Sequence, residues 1–148
     1  MSSDAFDAVQ VGQVVTGEPL TVTVEHIKNF AEASHDYNAL HLDENFMEST
    51  KFGKTQFEGV IAHGLFNFSR ISKTLTDWLW PQGALHRRLE TRHLTPVYPG
   101  DTITTYATVA SKYQTLKSRW IQMDIELKNQ KGQIIASGEA LAEYPFAH

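Results

Sequence analysis

The sequence predicts an α+β fold in which an antiparallel β-sheet curves around one long apolar helix. From Gly59 to Trp80, apolar residues recur three or four positions apart, which is the period of an amphipathic helix. Beyond Pro81-Gln82-Gly83 the apolar residues alternate with polar ones, which is the period of antiparallel strands with one wet face. The chain has 148 residues, of which 41% are apolar, so we expect a single domain over residues 1–148.

The N-terminal part of the chain combines short elements with a polar excursion. Leu20 to Val24 alternates as a half-buried strand would. Glu25 to Ser34 has the spacing of a short helix, which Thr23 or Glu25 could cap. Residues 36–54 are polar and rich in turn formers, and we predict one extra helical turn at Glu44 to Glu48.

The long helix and the strands after it provide the predicted core. The expected apolar positions of the helix are Ile61, Leu65, Phe68, Ile71, Leu75, Trp78 and Leu79, and the aromatic residues assigned to the core are Phe66, Phe68, Trp78 and Trp80. The strand-like runs are Leu85 to Thr95, Thr102 to Tyr113, Ser118 to Asn129 and Gln133 to Tyr144. Such a sheet leaves open edges, so we expect a second copy to pair with it in a homodimer.

The composition excludes several classes of partner. The chain has 13 Lys and Arg against 17 Asp and Glu, with the two signs mixed and no basic tract, so nucleic acid is not an expected partner. Every stretch long enough to cross a bilayer contains charged or turn residues, and the acidic N-terminus differs from a signal peptide. The absence of cysteine excludes disulfides and favours a reducing compartment. We therefore expect a cytoplasmic, full-length protein that does not bind membranes.

One short segment concentrates ionisable residues. Asp36 and His41 lie five positions apart, which on a continuous helix would separate them by roughly 140°. They converge only if the helix ends between them, and Asn38 tolerates the left-handed conformation that closes helices. The two side chains could then act on one water as a general acid and base. Alternatively, Asp36 and Asn38 satisfy backbone groups at a helix end while His41 packs or faces solvent.

The second feature is Ala62-His63-Gly64 at the head of the apolar helix. A glycine there lets a ligand approach the backbone, and the free N–H groups of a helix start stabilise negative charge on a carbonyl oxygen. This pattern favours an oxyanion site. Alternatively, Gly64 allows close packing of the helix against a strand and His63 is hydrogen-bonded in the first turn.

Metal chemistry has one candidate pattern. His41 and Asp43, with a later histidine, imitate the two-histidine, one-carboxylate iron triad of oxygenases. The later histidines are His63, His86 and His93, and the glycine-rich jelly-roll spacing is missing between them. We therefore expect no metal and no redox cofactor.

Scattered cations and aromatic residues allow two further contacts with a ligand. Arg88 and Arg92 share one face of a predicted strand and could contact a diphosphate, whereas Lys51 and Lys54 are expected on a solvated face. The phenylalanines that flank the polar excursion could line an apolar channel; they are Phe46, Phe52 and Phe57.

Three ordered motifs resemble the MaoC-like dehydratases, which include the (R)-specific enoyl-CoA hydratases. The motifs run from Phe30 to Asp43, from Ile61 to Leu65 and from Leu94 to Asp101, and the similarity extends from about Gly12 to the final strand. The resemblance implies a hot-dog fold, in which an antiparallel sheet wraps a long central helix, and assembly as a dimer. The family usually has proline after the motif asparagine, whereas this chain has Ala39, which leaves the loop less restricted.

The resemblance also implies an activity and a set of site residues. The activity is the reversible addition of water to a trans-2-enoyl-CoA, giving the (R)-3-hydroxyacyl-CoA, with coenzyme A entering only as part of the thioester substrate. By position, Asp36 and His41 correspond to the catalytic pair, Asn38 to an orienting amide and Gly64 to a backbone oxyanion donor. The expected substrate-binding residues are Ser34, in a supporting role, and Ala62, His63, Arg88 and Arg92. The alternatives are a hot-dog acyl-CoA thioesterase and a non-catalytic acyl-CoA-binding subunit.

Overall fold

One antiparallel sheet dominates the computed structural model, which describes residues 4–49 and 57–146. The strands are β1 (Val14–Thr16), β2 (Leu20–Thr21), β3 (Leu85–His93), β4 (Thr102–Gln114), β5 (Arg119–Lys128) and β6 (Ile134–Tyr144). They lie in the order β1-β4-β5-β6-β3, and β2 also pairs with β4. The four strands predicted after the helix are confirmed, with ends that differ by at most two residues.

The helices of the described residues all precede β3. They are α1 (Ala5–Ala8), α2 (Val24–Ser34), α3 (Ala39–Leu42), α4 (Glu44–Ser49) and the long central helix α5 (Gly64–Leu79), which continues into a 3-10 turn (Trp80–Gln82). The extra helical turn predicted at Glu44 to Glu48 is confirmed as α4. No helix in the described part of the chain is both long enough and apolar enough to span a bilayer.

The core lies between α5 and the concave face of the sheet. One stripe of α5 is buried, with side chains four residues apart at Asn67, Ile71, Leu75 and Leu79. Along β5 every second side chain from Ile121 to Leu127 is buried against it. Burial of a large aliphatic side chain stabilises the fold by roughly 1.5–3 kcal/mol, so these alternating positions fix which face of the sheet meets the helix.

Two residues that we expected in the core lie at the surface. Leu65 is 60% exposed and Trp80 is 79% exposed. The stripe with four-residue spacing turns Leu65 away from the sheet, since it lies two positions before Asn67. Trp80 lies beyond the end of α5, in the 3-10 turn, and therefore leaves the buried stripe.

The strand predicted from Leu20 to Val24 is also wrong beyond Thr21. A capping box starts α2 instead: the Thr23 hydroxyl accepts a hydrogen bond from the His26 N–H at 3.1 Å, and His26 Nδ1 accepts one from the Thr23 N–H at 3.1 Å. The prediction that Thr23 caps the helix is confirmed. The short elements α1 and β1 have no counterpart in the sequence-based assignment.

Candidate active site

The turn after α2 exposes the first group of candidate residues. Helix α2 ends at Ser34, and His35 adopts a left-handed conformation with φ 61° and ψ 25°. The prediction that Asn38 closes the helix is therefore wrong, because His35 already does so. The Ser34 hydroxyl donates to the Phe30 carbonyl at 2.7 Å and accepts from the Asp36 N–H at 3.3 Å, which holds the turn together.

Asp36 and Asn38 shape the next turn with their side chains. Asp36 Oδ1 accepts the Asn38 N–H at 3.2 Å, and Asn38 Oδ1 accepts the Leu40 N–H at 3.0 Å and so caps α3. The alternative interpretation of these two residues, that they satisfy backbone groups, is thus correct for one oxygen of each side chain. The second carboxylate oxygen of the exposed Asp36 makes none of the hydrogen bonds found within the described residues.

The ring of each histidine, His41 and His63, is hydrogen-bonded to a backbone carbonyl in the segment that contains the other. His41 Nδ1 lies 2.7 Å from the Ile61 carbonyl oxygen, and His63 Nε2 lies 2.9 Å from the Asp36 carbonyl oxygen. The two rings stack with centroids 3.9 Å apart and planes 28° apart, and His63 is only 1% exposed. The Phe30 ring contacts the His63 ring at 4.9 Å between centroids. This packing fixes the orientation of both imidazoles.

These hydrogen bonds also determine which nitrogen of His41 can accept a proton. A carbonyl oxygen only accepts, so Nδ1 must carry the hydrogen and, in the neutral ring, Nε2 keeps its lone pair. Burial lowers the pKa of His41, and His63 lowers it further, whereas the hydrogen bond to Ile61 and the Asp36 carboxylate oppose that change. The neutral form of His41 therefore prevails at pH 7.

Asp36, His41 and His63 form a compact group. One ligand atom from each residue lies within 4.8 Å of the other two. The lone pairs of two nearly parallel stacked imidazoles do not converge, and a metal about 2.0–2.1 Å from each nitrogen would have to lie in both ring planes. The arrangement therefore suits proton transfer better than chelation.

The iron triad considered from the sequence is not assembled. Asp43 accepts the Phe46 N–H at 3.0 Å at the start of α4 and does not join the group of Asp36, His41 and His63. The carboxylate that does approach the two histidines is that of Asp36.

The start of α5 faces the same site. His63 is the N-cap residue and makes no side-chain capping bond, while its carbonyl accepts the N–H groups of Phe66 at 3.0 Å and Asn67 at 3.2 Å. Within residues 4–49 and 57–146, no hydrogen bond uses the Gly64 N–H. A free N–H at a helix start can stabilise negative charge on an oxygen.

A cavity of about 360 Å³ connects the imidazole of His41 with the start of α5. Its lining within the described residues is Phe57, Ile61, Ala62, Gly64, Asn67, His93, Leu94, Thr95 and Pro96, together with His41. The expectation that Phe57 lines an apolar channel is confirmed. Phe52, Lys51 and Lys54 lie outside the described residues, and Phe46 does not line this cavity.

The remaining predicted residues divide between the cavity and other places. Ala62 lines the cavity while its N–H donates to the Val97 carbonyl at 2.8 Å. Ser34 is engaged in the turn and does not line the cavity. Arg88 pairs with Glu90 at 2.5 Å on the exposed face of β3, away from the cavity.

Arg92 lines a separate groove of about 810 Å³ between the edge strand β3 and helix α5. This groove shares His93 and Leu94 with the cavity, and Leu65 lines its other side. Arg92 therefore lies next to the cavity but does not line it.

Sequence reasoning did not place three polar residues that line the cavity, Asn67, His93 and Thr95, and it considered His93 only as a possible third iron ligand. A β-carbon added at Gly64 would lie 2.8 Å from His93 Nε2, so the His93 ring packs directly on the backbone of that glycine. Asn67 could have been suspected, because it is a polar residue four positions before Ile71 on the buried stripe. His93 could not, since contact between β3 and the start of α5 is a tertiary feature.

The antiparallel sheet around a long central helix defines a hot-dog protein. The family model described as "MaoC like domain" matches residues 7–130, and the chain belongs to this family. The resemblance inferred from the three motifs, and the hot-dog fold that it implied, are confirmed.

Individual relatives agree with this assignment. An (R)-specific enoyl-CoA hydratase of Rhodospirillum rubrum is 30% identical over 140 residues, which cover 95% of this chain and 91% of the relative. Among solved structures, the R-hydratase PhaJ1 from Pseudomonas aeruginosa has a TM-score of 0.81 at 25% identity, covering 96% of this chain and 86% of that one. A protein described as a monoamine oxidase regulatory protein from Archaeoglobus fulgius has a TM-score of 0.83 at 28% identity, covering 97% and 95%.

Proposed function

We propose that this protein is a hydro-lyase that reversibly adds water to a trans-2-enoyl thioester of coenzyme A, giving the (R)-3-hydroxyacyl thioester. The observation that carries the proposal is that His41 lines a cavity that also exposes the backbone of Gly64 and lies in a compact group with Asp36, which does not itself line that cavity. A water forms hydrogen bonds of about 2.8 Å, so it fits between two groups whose ligand atoms lie within 4.8 Å. The (R) configuration rests on the names of the relatives.

The proposed reaction assigns one task to each group. His41 Nε2 accepts a proton from the bound water while the free oxygen of Asp36 accepts the second hydrogen and directs the water oxygen at C3. As the new C–O bond forms, electrons of the C2=C3 bond move towards the thioester oxygen, which the Gly64 N–H stabilises. The proton held by the pair then passes to C2, so one water is consumed and no net proton is released.

The supporting residues keep these groups in place. Asn38 fixes both the Asp36 carboxylate and the start of α3, from which His41 projects. His63 packs on His41 and binds the Asp36 carbonyl, and Ala62 shapes the cavity wall. This scheme uses no metal or redox cofactor, and that remains a prediction.

A double assay tests the activity. Hydration removes the ultraviolet absorbance of the enoyl thioester without releasing thiol, whereas a thioesterase releases thiol that a disulfide reagent counts. We expect loss of absorbance without thiol release with crotonyl-CoA. Thiol release at the same rate would favour the thioesterase, and binding without turnover would favour the non-catalytic subunit.

Two variants test the proposed roles. Asp36→Asn and His41→Ala should each lower turnover by on the order of 10²-fold or more, the usual scale for acid and base groups. Asp43→Asn is the matched control for the first, since Asp43 is also an exposed aspartate that accepts a local N–H. His86→Ala is the control for the second, because His86 is likewise half-buried, bonded to a backbone carbonyl, and shifted to a lower pKa by burial. Wild-type rates in Asp36→Asn or His41→Ala would refute the mechanism.

We also propose that the protein is a homodimer formed along the edge strand β3. This strand pairs with β6 on one side only, and the groove beside it is bordered by Leu65 and Leu94, which are 60% and 52% exposed. Leu65→Glu should therefore shift the protein to the monomer in size-exclusion chromatography with light scattering. Leu116→Glu, at a fully exposed turn between β4 and β5, is the matched control. A monomeric wild type would refute the dimer.

The cellular place of the reaction is part of the same proposal. The chain has no cysteine, which is compatible with a reducing compartment, and we place the reaction in the cytoplasm.

A further inference from the structure

The buried amide of Asn67 has no role in the proposed hydration. Asn67 is 4% exposed, and its Oδ1 is buried without a hydrogen-bond partner within the described residues. Buried polar atoms are almost always paired, because desolvation without a hydrogen bond is costly. The other members of the same helix stripe are Ile71, Leu75 and Leu79, so an apolar residue at position 67 would match its neighbours. The asparagine therefore needs an explanation outside the core.

Asn67 lines the cavity that also contains His41 and Gly64. It lies three residues after Gly64, on the same side of α5, and helical side chains lean towards the helix N-terminus. The amide is thus positioned beside the proposed reaction centre. Its oxygen and nitrogen offer one acceptor and two donor positions to whatever occupies the cavity.

The imidazole of His93 is the second polar group on this wall. It packs against Gly64, and within the described residues its ring makes no hydrogen bond. The surrounding lining is largely apolar, with Phe57, Ile61 and Leu94 among its members. A plain alkyl chain would fill such a cavity and leave the buried amide oxygen of Asn67 without a partner.

We propose that Asn67, assisted by His93, binds an oxygen substituent on the acyl chain of the substrate, either a hydroxyl or a carboxyl group. The preferred substrate class is then an oxygenated short enoyl thioester of coenzyme A instead of a simple alkyl one. A hydroxyl group donates to the amide oxygen, and a carboxylate accepts from the amide nitrogen and from the imidazole. A site built to hydrogen-bond a substrate group discriminates strongly against the analogue that lacks it. This inference rests on the proposed hydratase function and names its substrate class.

The test compares three thioesters that differ at the end of a four-carbon acyl chain. Crotonyl-CoA, 4-hydroxycrotonyl-CoA and the mono-CoA thioester of trans-butenedioic acid are hydrated by the wild type and by Asn67→Leu, a substitution of similar size that removes the polar atoms. We expect the wild type to prefer an oxygenated substrate by at least about tenfold in kcat/KM. The variant should lose that preference, because its kcat/KM falls more on the oxygenated substrate than on crotonyl-CoA. Comparison of the hydroxyl substrate with the carboxyl substrate shows which of the two groups Asn67 binds.

A matched control and a stability measurement guard against trivial effects. Ile71→Val changes the volume of a fully buried residue one turn further along the same stripe and should leave the substrate preference unchanged. The melting temperature of Asn67→Leu should not fall, since an unpaired buried amide is replaced by an aliphatic side chain.

The outcomes separate this inference from the function beneath it. Hydration of crotonyl-CoA with no preference for an oxygenated substrate would overturn the inference and leave the hydratase intact. An equal loss on all three substrates in Asn67→Leu would also overturn it, because the amide would then serve a group common to every thioester. No hydration of any of the three by the wild type would overturn both.

Discussion

Replacing Gly64 by alanine tests whether the start of α5 is held by the ring of His93. The substitution keeps the backbone N–H, and the added β-carbon would lie 2.8 Å from His93 Nε2 and 2.9 Å from Cε1. Ordinary contact begins at 3.4 Å, so either the exposed His93 ring or the helix start must shift by about 0.6 Å. Misplacement of a catalytic group by about 1 Å can cost about 10²-fold in rate, and we expect kcat/KM for Gly64→Ala to fall by roughly 10- to 10²-fold.

The cause of that loss is separated by a double-mutant cycle. His93→Ala removes the ring, so Gly64→Ala should be at least tenfold less harmful in the His93→Ala background, a coupling of about 1.4 kcal/mol. The measurement is kcat/KM for crotonyl-CoA in the four proteins, read from the enoyl absorbance. An equal loss in both backgrounds would show that the ring contact does not position the Gly64 amide, and the reasoning would be refuted.

Three further predictions concern the scaffold and the acid–base pair. A β-carbon at Gly138 would lie 1.8 Å from the backbone oxygen of Glu90. Gly138→Ala should therefore destabilise the β3–β6 pairing by about 3 kcal/mol and lower Tm by roughly 6–12 °C. An unchanged Tm would contradict the register of β3 against β6. Because burial lowers the pKa of His41, its neutral form persists below pH 6.5. As the pH falls, kcat/KM should therefore decline only below pH 6.5. A decline centred above pH 6.5 would be evidence against His41 as the base. Ala39 is the first residue of α3, and the preceding residue, Asn38, has φ −56° and ψ 130°, a conformation that suits a residue before proline. Ala39→Pro should therefore raise Tm by about 1–4 °C in a thermal melt. A lower Tm would show that the turn cannot accept proline.

Sequence patterns were sufficient where a single local rule determined the structure. The alternation from Ile121 to Leu127 predicts β5, because one face of an antiparallel strand must be buried. The turn residues from Asn129 to Gly132 end that strand for an equally local reason, since Gly132 adopts a positive φ of 77°. The prediction of a single domain is untested by these observations and stays a prediction.

Local rules failed where distant partners determine the structure. β1 is a three-residue strand that exists through its pairing with residues of β4 that are 90 to 94 positions away, and nothing in its own sequence marks it. His35 closes α2 in a left-handed conformation that is uncommon for residues other than glycine, although asparagine, aspartate and histidine adopt it more often than most. The choice of Asn38 followed this propensity and was wrong. The contact of His41 with His63 spans 22 positions and joins helix α3 to the start of α5. Spacing within one motif cannot predict it.

The three motifs that carry the family resemblance are joined to one another by hydrogen bonds. The Ile61 N–H donates to the Leu40 carbonyl at 3.1 Å, which links the first motif to the second. The Ala62 N–H donates to the Val97 carbonyl at 2.8 Å, which links the second to the third. A change in any one segment therefore moves the other two, and the position of His41 relative to the Gly64 N–H depends on all three. The order of the motifs is informative for this physical reason: each one contributes a wall of the same cavity, and none of them forms the site alone.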